Sequence, residues 1–136
     1  MRSLLVRRAT LAFGLAPLVV LAACGGGEST ADAGPPTDLG TIADLTGRPT
    51  VEIVVADNTS TLAAFRVSAG TAVSFRNEGA YFHDVTPAGE GVFAKSELRP
   101  GDTVVITAPA TAGTYRYYCS LHGTATGGQR GAMVVA

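Results

Sequence analysis

The sequence predicts an all-β domain, a Greek-key β-sandwich or barrel of about seven or eight strands. Short apolar or alternating runs recur throughout residues 50–136. Residues that favour turns, such as Pro100-Gly101 and Ala112-Gly113, separate these runs. No stretch in this part of the chain keeps a helical period long enough to compete with this interpretation.

Each strand is predicted from a run of apolar or alternating residues that ends at turn residues. The predicted strands are Val51–Val55, Ala64–Val67, Thr71–Arg76, Tyr81–Thr86, Gly91–Ala94, Thr103–Thr107, Thr114–Cys119 and Ala132–Val135. In the seventh of these, alternation places Tyr115, Tyr117 and Cys119 on one face. Arg116 is expected in solvent on the other face. Cys119 is therefore predicted to point inward and Tyr118 outward.

Residues 1–23 are predicted to be a signal peptide and not part of the fold. Basic residues precede an apolar run that is too short to span a bilayer comfortably. The run ends in Leu21-Ala22-Ala23-Cys24, which resembles a bacterial lipobox. This predicts cleavage before Cys24, acylation of its thiol and a lipid anchor on the periplasmic or cell-surface side of a membrane. The alternative is an ordinary signal peptide with cleavage nearby and a free Cys24.

Residues 24–49 are predicted to carry the lipidated cysteine and a flexible linker, because Gly, Pro, Thr, Ala and Asp dominate without periodicity. The folded domain is then expected at residues 50–136. Loss of residues 1–23 would remove three arginines and change the formal net charge from −1 to −4. A mildly acidic domain without a basic cluster has no electrostatic reason to bind nucleic acid.

The cysteine and histidine content is small enough to be informative. The chain has two cysteines, Cys24 and Cys119, and two histidines, His83 and His122. If Cys24 is acylated, Cys119 lacks a disulfide partner in an oxidising compartment. It is then a reactive thiol, an intermolecular link or a metal ligand.

The segment Tyr117-Tyr118-Cys119-Ser120-Leu121-His122 places a thiol and an imidazole close together at the end of a predicted strand. His83 lies 36 residues before Cys119, on another predicted strand. A set of two histidines and one cysteine, with a weak axial fourth ligand, is how proteins bind copper for electron transfer. The predicted cofactor is therefore one copper ion.

Two segments resemble the cupredoxins, the small blue copper proteins that include plastocyanin, amicyanin and halocyanin. They are residues 73–85, with Asn77 and His83, and residues 113–123, with Cys119 and His122. The resemblance implies that His83, Cys119 and His122 are equatorial ligands of a type 1 copper ion. It also implies a monomer that cycles between Cu(I) and Cu(II), with a redox donor and acceptor that dock weakly near His122.

The axial ligand departs from the commonest pattern of that family, in which the ligand loop ends in Gly-Met-x-Gly. Here the corresponding stretch is Gly128-Gln129-Arg130-Gly131. Placing the glycines in register puts Gln129 at the axial position, as in the stellacyanin branch. The rival is Met133, in the last predicted strand, with a longer loop.

Other residues near the ligands have a structural and a functional interpretation. Asp84 follows His83, where the family often ties its ligand loops together, or it is a solvated aspartate at a strand end. Asn77 is predicted to close a turn through its side chain. Electrons are expected to pass through His122 and Tyr118, although Tyr118 is equally plausible as a surface tyrosine. Small and apolar residues are expected around His122, namely Pro87, Ala88, Leu121 and Gly123.

Two other functions use the same residues. A non-redox copper carrier or buffer of the cell envelope would need the same ligands and faster release of the ion. An enzyme with Cys119 as nucleophile and a histidine as base would need no metal. No nucleotide loop, carboxylate pair or serine nucleophile motif supports catalysis, so the chain is predicted not to be an enzyme.

Overall fold

The computed structural model describes residues 36–60 and 63–136. A short 3₁₀ helix, Thr37–Leu39, precedes ten strands assigned within these ranges. The strands are β1 (Ala43–Asp44), β2 (Thr50–Ala56), β3 (Thr59–Ser60), β4 (Ala64–Val67), β5 (Ala72–Asn77), β6 (His83–Pro87), β7 (Ser96–Leu98), β8 (Thr103–Thr107), β9 (Gly113–Gly123) and β10 (Gly128–Val135). The all-β prediction is confirmed. The predicted signal peptide and the lipidation site Cys24 lie outside the described residues.

The strands form two sheets that pack as a sandwich. One sheet has six strands in the order β1-β4-β10-β9-β6-β7, and the other has four in the order β3-β2-β5-β8. Strand β4 is parallel to β1 and β10, and β2 is parallel to β5. Strand β9 lies between β6 and β10 and is antiparallel to both. This order brings the predicted ligands of β6, β9 and the start of β10 into neighbouring strands.

Alternating side chains account for the sandwich. On β5, Val73, Phe75 and Asn77 are buried, whereas Ser74 and Arg76 are only partly buried. On β9, Tyr115, Tyr117 and Cys119 face inward, while Arg116 and Tyr118 are partly exposed, as the alternation predicts. The core cluster lies between the sheets. Its buried members are Val51, Ile53, Val55, Phe65, Val67, Val73, Phe75, Val85, Leu98, Ile106, Ala108, Tyr115, Tyr117, Met133 and Val135.

Aromatic rings connect the two sheets at the centre of this core. Phe75 meets Tyr117 edge to face with ring centroids 5.2 Å apart, a favoured geometry for aromatic pairs. Phe65 lies on the same tyrosine at 6.5 Å. Cys119, the cysteine within the described residues, forms no disulfide there, so the core of this part of the chain is held by packing.

The strand predicted at Gly91–Ala94 is wrong. These residues form turns and bends, and the strand lies at Ser96–Leu98, where it pairs with His83–Val85. Gly91 has φ of 71°, which is outside the extended region that a strand requires. The apolar pair Val92 and Phe93 packs against the core from this loop and not from a strand.

Part of the predicted linker belongs to the ordered domain. Residues Ala43–Asp44 pair in parallel with Phe65 and Arg66 of β4. Asp38, which lies upstream of this strand, accepts hydrogen bonds of 3.1 and 2.8 Å from the guanidinium group of Arg116. These bonds from Arg116 lower the pKa of Asp38 to about 2. A strand of two residues is too short to show alternation of apolar and polar side chains. The prediction of a linker over residues 24–49 therefore depended on composition alone.

None of the described residues forms a helix long and apolar enough to cross a membrane.

Truncation of Phe75 tests this view of the core. Phe75 is 1% exposed, and we expect Phe75→Ala to lower the free energy of unfolding by about 3–5 kcal/mol, because it leaves a cavity beside Tyr117. Val105 lies on neighbouring strand β8 and is 64% exposed. We expect Val105→Ala to change the free energy by about 0.5 kcal/mol or less. Urea unfolding followed by tyrosine fluorescence measures both, and equal losses would contradict the packing described.

Candidate metal centre

Three side chains that are distant in sequence meet at one end of the sandwich. His83 begins β6, and β9 carries both Cys119 and His122 near its end. The Sγ atom of Cys119 lies 3.7 Å from Nδ1 of His83 and 3.4 Å from Nδ1 of His122. The two Nδ1 atoms are 3.2 Å apart. The structure thus brings together all three residues that were predicted as equatorial ligands.

The three donors differ in their exposure to solvent. His83 is 0% exposed and Cys119 is 3% exposed, whereas His122 is partly exposed. The two imidazole rings are tilted by 52° with centroids 4.7 Å apart. His122 is therefore the one member of the set with an edge near the surface.

Gln129 is the fourth polar group at this point. It stands in an irregularity of the β9–β10 pairing, where register shifts between Gly128 and Arg130. Gly128 has φ of 72° there, the conformation of a glycine at a β-bulge. The bulge turns Gln129 inward, so that it is 7% exposed and its Oε1 lies 2.9 Å from Nδ1 of His83.

Met133, the rival for the axial position, lies elsewhere. It is 0% exposed, belongs to the core cluster and pairs across the sheet with Tyr115 of β9 and Phe65 of β4. Of the two candidates, Gln129 lies beside the three donors.

The orientation of the Gln129 amide follows from its neighbours. Its Nε2 donates to the carbonyl oxygens of Ala56 at 2.9 Å and Thr59 at 2.8 Å. A carbonyl can only accept, so the amide nitrogen must face these two atoms. The amide oxygen then faces Nδ1 of His83.

Asp57 lies against the side of the His83 ring that faces away from Cys119 and His122. Hydrogen bonds from the backbone N–H of Ala80 and of Tyr81, together with His83, lower the pKa of Asp57 despite some desolvation. Its Oδ1 lies 3.3 Å from Nε2 of His83. An ionised carboxylate only accepts, so Asp57 and Gln129 place an acceptor oxygen beside each of the two ring nitrogens of His83.

These contacts test whether a metal ion fits the site. The atoms Gln129 Oε1, His83 Nδ1, His122 Nδ1 and Cys119 Sγ, each of which can act as an acceptor, converge at separations of 2.9 to 3.7 Å. Such a cluster of acceptors repels itself unless a cation or protons lie between them. Metal–ligand bonds are of the right length for these separations. Zinc, for comparison, bonds imidazole nitrogen at about 2.0 Å and thiolate sulfur at about 2.3 Å. The soft thiolate and two imidazoles fit a type 1 copper site.

Asp84 joins the strands that carry the ligands. Its Oδ1 accepts the backbone N–H of Ser120 at 2.8 Å and the hydroxyl of Thr86 at 2.7 Å. Its Oδ2 accepts the Ser120 hydroxyl at 2.5 Å and lies 3.2 Å from Lys95 Nζ. Burial raises the pKa of Asp84, but the bonds from Ser120, Thr86 and Lys95 outweigh it and leave the pKa below its usual value. The carboxylate therefore ties β6 to the residue that follows Cys119 and is not a solvated strand end.

Asn77 shapes the loop that leads to His83. It is 1% exposed, and its Oδ1 accepts the N–H of Gly79 at 2.8 Å. Its Nδ2 donates to the carbonyl oxygens of Tyr81 at 2.9 Å and Leu98 at 3.0 Å. The side chain thus closes the turn and also joins it to Leu98 of β7.

The surface around His122 differs from expectation in part. Pro87 pairs with Tyr117, and the N–H of Ala88 bonds to Arg116. Because β6 and β9 are antiparallel, both residues lie along the sheet in the direction away from His122. Leu121 does lie beside it and is 58% exposed. On the loop before His83, Tyr81 is 64% exposed.

Tyr118 stands on the outer face of β9 next to Cys119. It is partly exposed and pairs with Thr86 of β6 and Arg130 of β10. This position agrees with the outward orientation predicted from alternation.

The sequence did not point to Asp57, Lys95 or Ser120 as partners of the site. Asp57 follows a predicted strand as an ordinary turn residue, and its contact with His83 spans 26 residues. Lys95, the residue after the strand wrongly predicted at Gly91–Ala94, donates to Ser120 Oγ at 3.0 Å. Ser120 lies between Cys119 and His122 in the sequence. Of the three partners, it is the one whose position in the sequence could have indicated a role at the site.

A family model for a cupredoxin-like domain matches residues 18–135. A search of curated protein sequences gave no match.

Several solved structures share this fold. A purple cupredoxin from Nitrosopumilus maritimus is 19% identical, with a TM-score of 0.53, over 63% of this chain and 99% of its own. An oxidised amicyanin variant is 24% identical, with a TM-score of 0.54, over 65% of this chain and 84% of its own. A dithionite-reduced auracyanin from the photosynthetic bacterium Roseiflexus castenholzii is 26% identical, with a TM-score of 0.51, over 65% and 98%.

Removal of the Asp84 carboxylate tests its role as a tie between strands. We expect Asp84→Ala to speed amide hydrogen exchange at Ser120 in the metal-free protein, because that N–H loses its acceptor. The free energy of unfolding should fall by about 1–3 kcal/mol. Thr86→Val removes another donor to the same carboxylate and should leave exchange at Ser120 slow. Unchanged exchange at Ser120 in Asp84→Ala would show that the tie is not formed in solution.

Proposed function

Because the chain belongs to the family of cupredoxin-like domains, we propose that it transfers electrons between redox proteins through one copper ion held by His83, Cys119 and His122. The observation that carries this proposal is the convergence of one thiol and two imidazole nitrogens within 3.7 Å of each other. Copper supplies one-electron chemistry there by alternating between Cu(I) and Cu(II). The chain supplies the fixed ligands, the exclusion of water and a surface for partners.

Gln129 is proposed as the weak axial ligand through Oε1. Both hydrogens of its amide are already bonded to Ala56 and Thr59, which leaves the oxygen for the metal position. An amide oxygen is harder than a thioether sulfur and favours the more highly charged ion. We therefore propose a lower reduction potential than a methionine-ligated relative would have.

The ligands are held before a metal arrives, which suits a redox centre. His83 is held through Asp57, Gln129 through two carbonyls, and the Cys119 segment through Asp84. A change of oxidation state then requires little movement of these side chains. The burial of Cys119 at 3% exposure also weighs against its use as a catalytic nucleophile, since a substrate could not reach its sulfur.

Electrons are proposed to enter and leave near the partly exposed edge of His122. Leu121 and Tyr81 present apolar surface at this end of the sandwich, and a small apolar contact suits a brief redox encounter. Tyr118, on the outer face of β9 beside Cys119, offers a second route. Both the donor and the acceptor are proposed to be proteins that bind weakly to a monomer.

The location is proposed from the sequence before the described domain. The segment Leu21-Ala22-Ala23-Cys24 supports a lipid anchor on the outer side of a membrane. Residues 25–35 would then separate the lipid from the first described residue, Pro36.

Copper loading of the protein tests the proposed function. We expect stoichiometric copper to give an intense visible band from thiolate-to-copper charge transfer and a type 1 electron paramagnetic resonance spectrum. Cys119→Ser should abolish the band, because it replaces the thiolate. Stoichiometric binding without this band in the wild type would contradict a type 1 electron-transfer site, and rapid loss of the ion to a chelator would favour a copper carrier.

Substitution of the axial position tests Gln129. We expect Gln129→Met to raise the reduction potential, since a thioether stabilises Cu(II) less well than an amide oxygen. Met133→Leu conserves volume in the core and should change the stability by less than about 1.5 kcal/mol, with no change in potential. Potentiometric titration decides between them. A potential that moves with Met133→Leu and not with Gln129→Met would reverse the assignment.

A further inference from the structure

Lys95 contacts the strands that carry the ligands although it belongs to neither of them. It precedes β7, and its side chain is 50% exposed. Its Nζ donates to Ser120 Oγ at 3.0 Å and lies 3.2 Å from Asp84 Oδ2. Because β6 lies between β7 and β9, the side chain reaches across β6 to contact β9.

The two residues that Lys95 contacts each follow a proposed ligand in the sequence. Asp84 follows His83, and Ser120 follows Cys119. Ser120 donates its backbone N–H and its hydroxyl to separate oxygens of Asp84, at 2.8 and 2.5 Å. These two bonds form a link between β6 and β9, and Lys95 contacts both members of this Asp84–Ser120 link.

The hydrogen-bonding capacity of the link is used fully with Lys95 in place. An ionised carboxylate offers about four lone-pair positions. On Asp84, the Ser120 N–H and the Thr86 hydroxyl bond to Oδ1, whereas the Ser120 hydroxyl and Lys95 lie at Oδ2. The Ser120 hydroxyl donates to Asp84 and accepts from Lys95. Lys95 thus supplies the fourth donor to the carboxylate and a donor to Ser120 Oγ.

The charge of Lys95 also has a specific position. The Asp84 side chain is 1% exposed, and a buried carboxylate that lacks an opposite charge is costly. Glu97 of β7 pairs with Asp84 across the sheet and brings another negative residue to the same face. The ammonium group of Lys95 therefore places a positive charge, from the solvent side, on negative charge beside the ligand segments.

We propose that Lys95 is a positioning residue for the metal centre, which holds the Asp84–Ser120 link in place and opposes the negative charge of Asp84 next to the ligands. Negative charge near the ion favours Cu(II) over Cu(I), so the positive charge of Lys95 raises the reduction potential. Partners outside the ligand set orient ligands and tune the metal in this way. The effect on the potential rests on the proposed function, whereas the hold on Ser120 is a property of the metal-free chain.

The experiment compares Lys95→Met, Lys95→Arg and Arg48→Met with wild type. Methionine is unbranched and of similar length but removes the charge and the donors, whereas arginine keeps both. Arg48→Met is the matched control, because it also removes one exposed positive charge. Arg48 lies in the turn after β1, where Gly47 N–H bonds to Ser68 Oγ at 3.1 Å. Ser68 follows the end of β4 that is farthest from the ligands.

Amide hydrogen exchange at Ser120 in the metal-free proteins measures the hold on the link. We expect Lys95→Met to speed this exchange by about 2- to 5-fold, because a half-exposed ion pair contributes modestly to stability. Lys95→Arg and Arg48→Met should keep the wild-type rate. A wild-type rate at Ser120 in Lys95→Met would overturn the proposal.

Potentiometric titration of the copper-loaded proteins measures the effect of the charge. We expect a lower reduction potential in Lys95→Met, a potential close to that of wild type in Lys95→Arg, and no change in Arg48→Met. An unchanged potential in Lys95→Met would overturn the proposal, as would an equal fall in Lys95→Arg. An equal fall in Arg48→Met would show that only the net charge of the protein matters, and the position of Lys95 would then have no role.

The two proposals fail in distinguishable ways. Wild-type protein that gives no charge-transfer band with copper contradicts the proposed function, and the exchange rates at Ser120 still decide whether Lys95 holds the Asp84–Ser120 link. Wild-type protein that gives the band, with one potential common to all four proteins, contradicts the role of Lys95 alone.

Discussion

The metal centre depends on holding several acceptor atoms together at a buried point. The atoms Gln129 Oε1, His83 Nδ1, His122 Nδ1 and Cys119 Sγ lie within 3.7 Å of one or more of the others. Without protons or a cation between them, such acceptors repel each other in a medium of low polarity. The fold holds these groups in place through other bonds. His83 is bonded to Asp57 at Nε2, and the Gln129 amide nitrogen is bonded to two carbonyl oxygens. The backbone next to Cys119 is bonded to Asp84 through Ser120. A cation between these atoms removes the repulsion, which is why this donor set fits a metal ion.

The strand order makes these second bonds possible. Strand β9 lies between β6 and β10, so Cys119 has His83 on one side and Gln129 on the other. Asp84 closes the β6 side through Ser120, and the bulge at Gly128 turns Gln129 inward on the β10 side. The opposite sheet contributes the β2–β3 turn, which reaches over the gap between the sheets. Every layer of the sandwich therefore fixes one part of the site.

The sequence predicted the ligands better than their supports, and the reason is physical. Cys119 and His122 are close along one strand, and alternation of side chains on β9 gives the inward direction of the cysteine. Gln129 follows from the resemblance to the cupredoxins, because its flanking glycines align with the Gly-Met-x-Gly pattern of that family. Asp57 and Lys95, in contrast, reach the site only through the tertiary path of their loops, which leaves no local pattern. The same limit explains the strand misplaced at Gly91–Ala94 and the two-residue strand β1 within the predicted linker.

The carboxylates near the ligands add a further electrostatic effect. Asp57 touches one ligand ring, and Asp84 touches the residue after Cys119. Both carboxylates have a lowered pKa and are negative at neutral pH. Lys95 offsets the charge of Asp84 at 3.2 Å but is half exposed, so water screens it, whereas the Asp84 side chain is 1% exposed. Negative charge on these carboxylates favours the more highly charged state of a bound ion, in the same direction as the oxygen of Gln129. The low potential proposed for this centre thus has two separable causes, the axial donor and the buried charge.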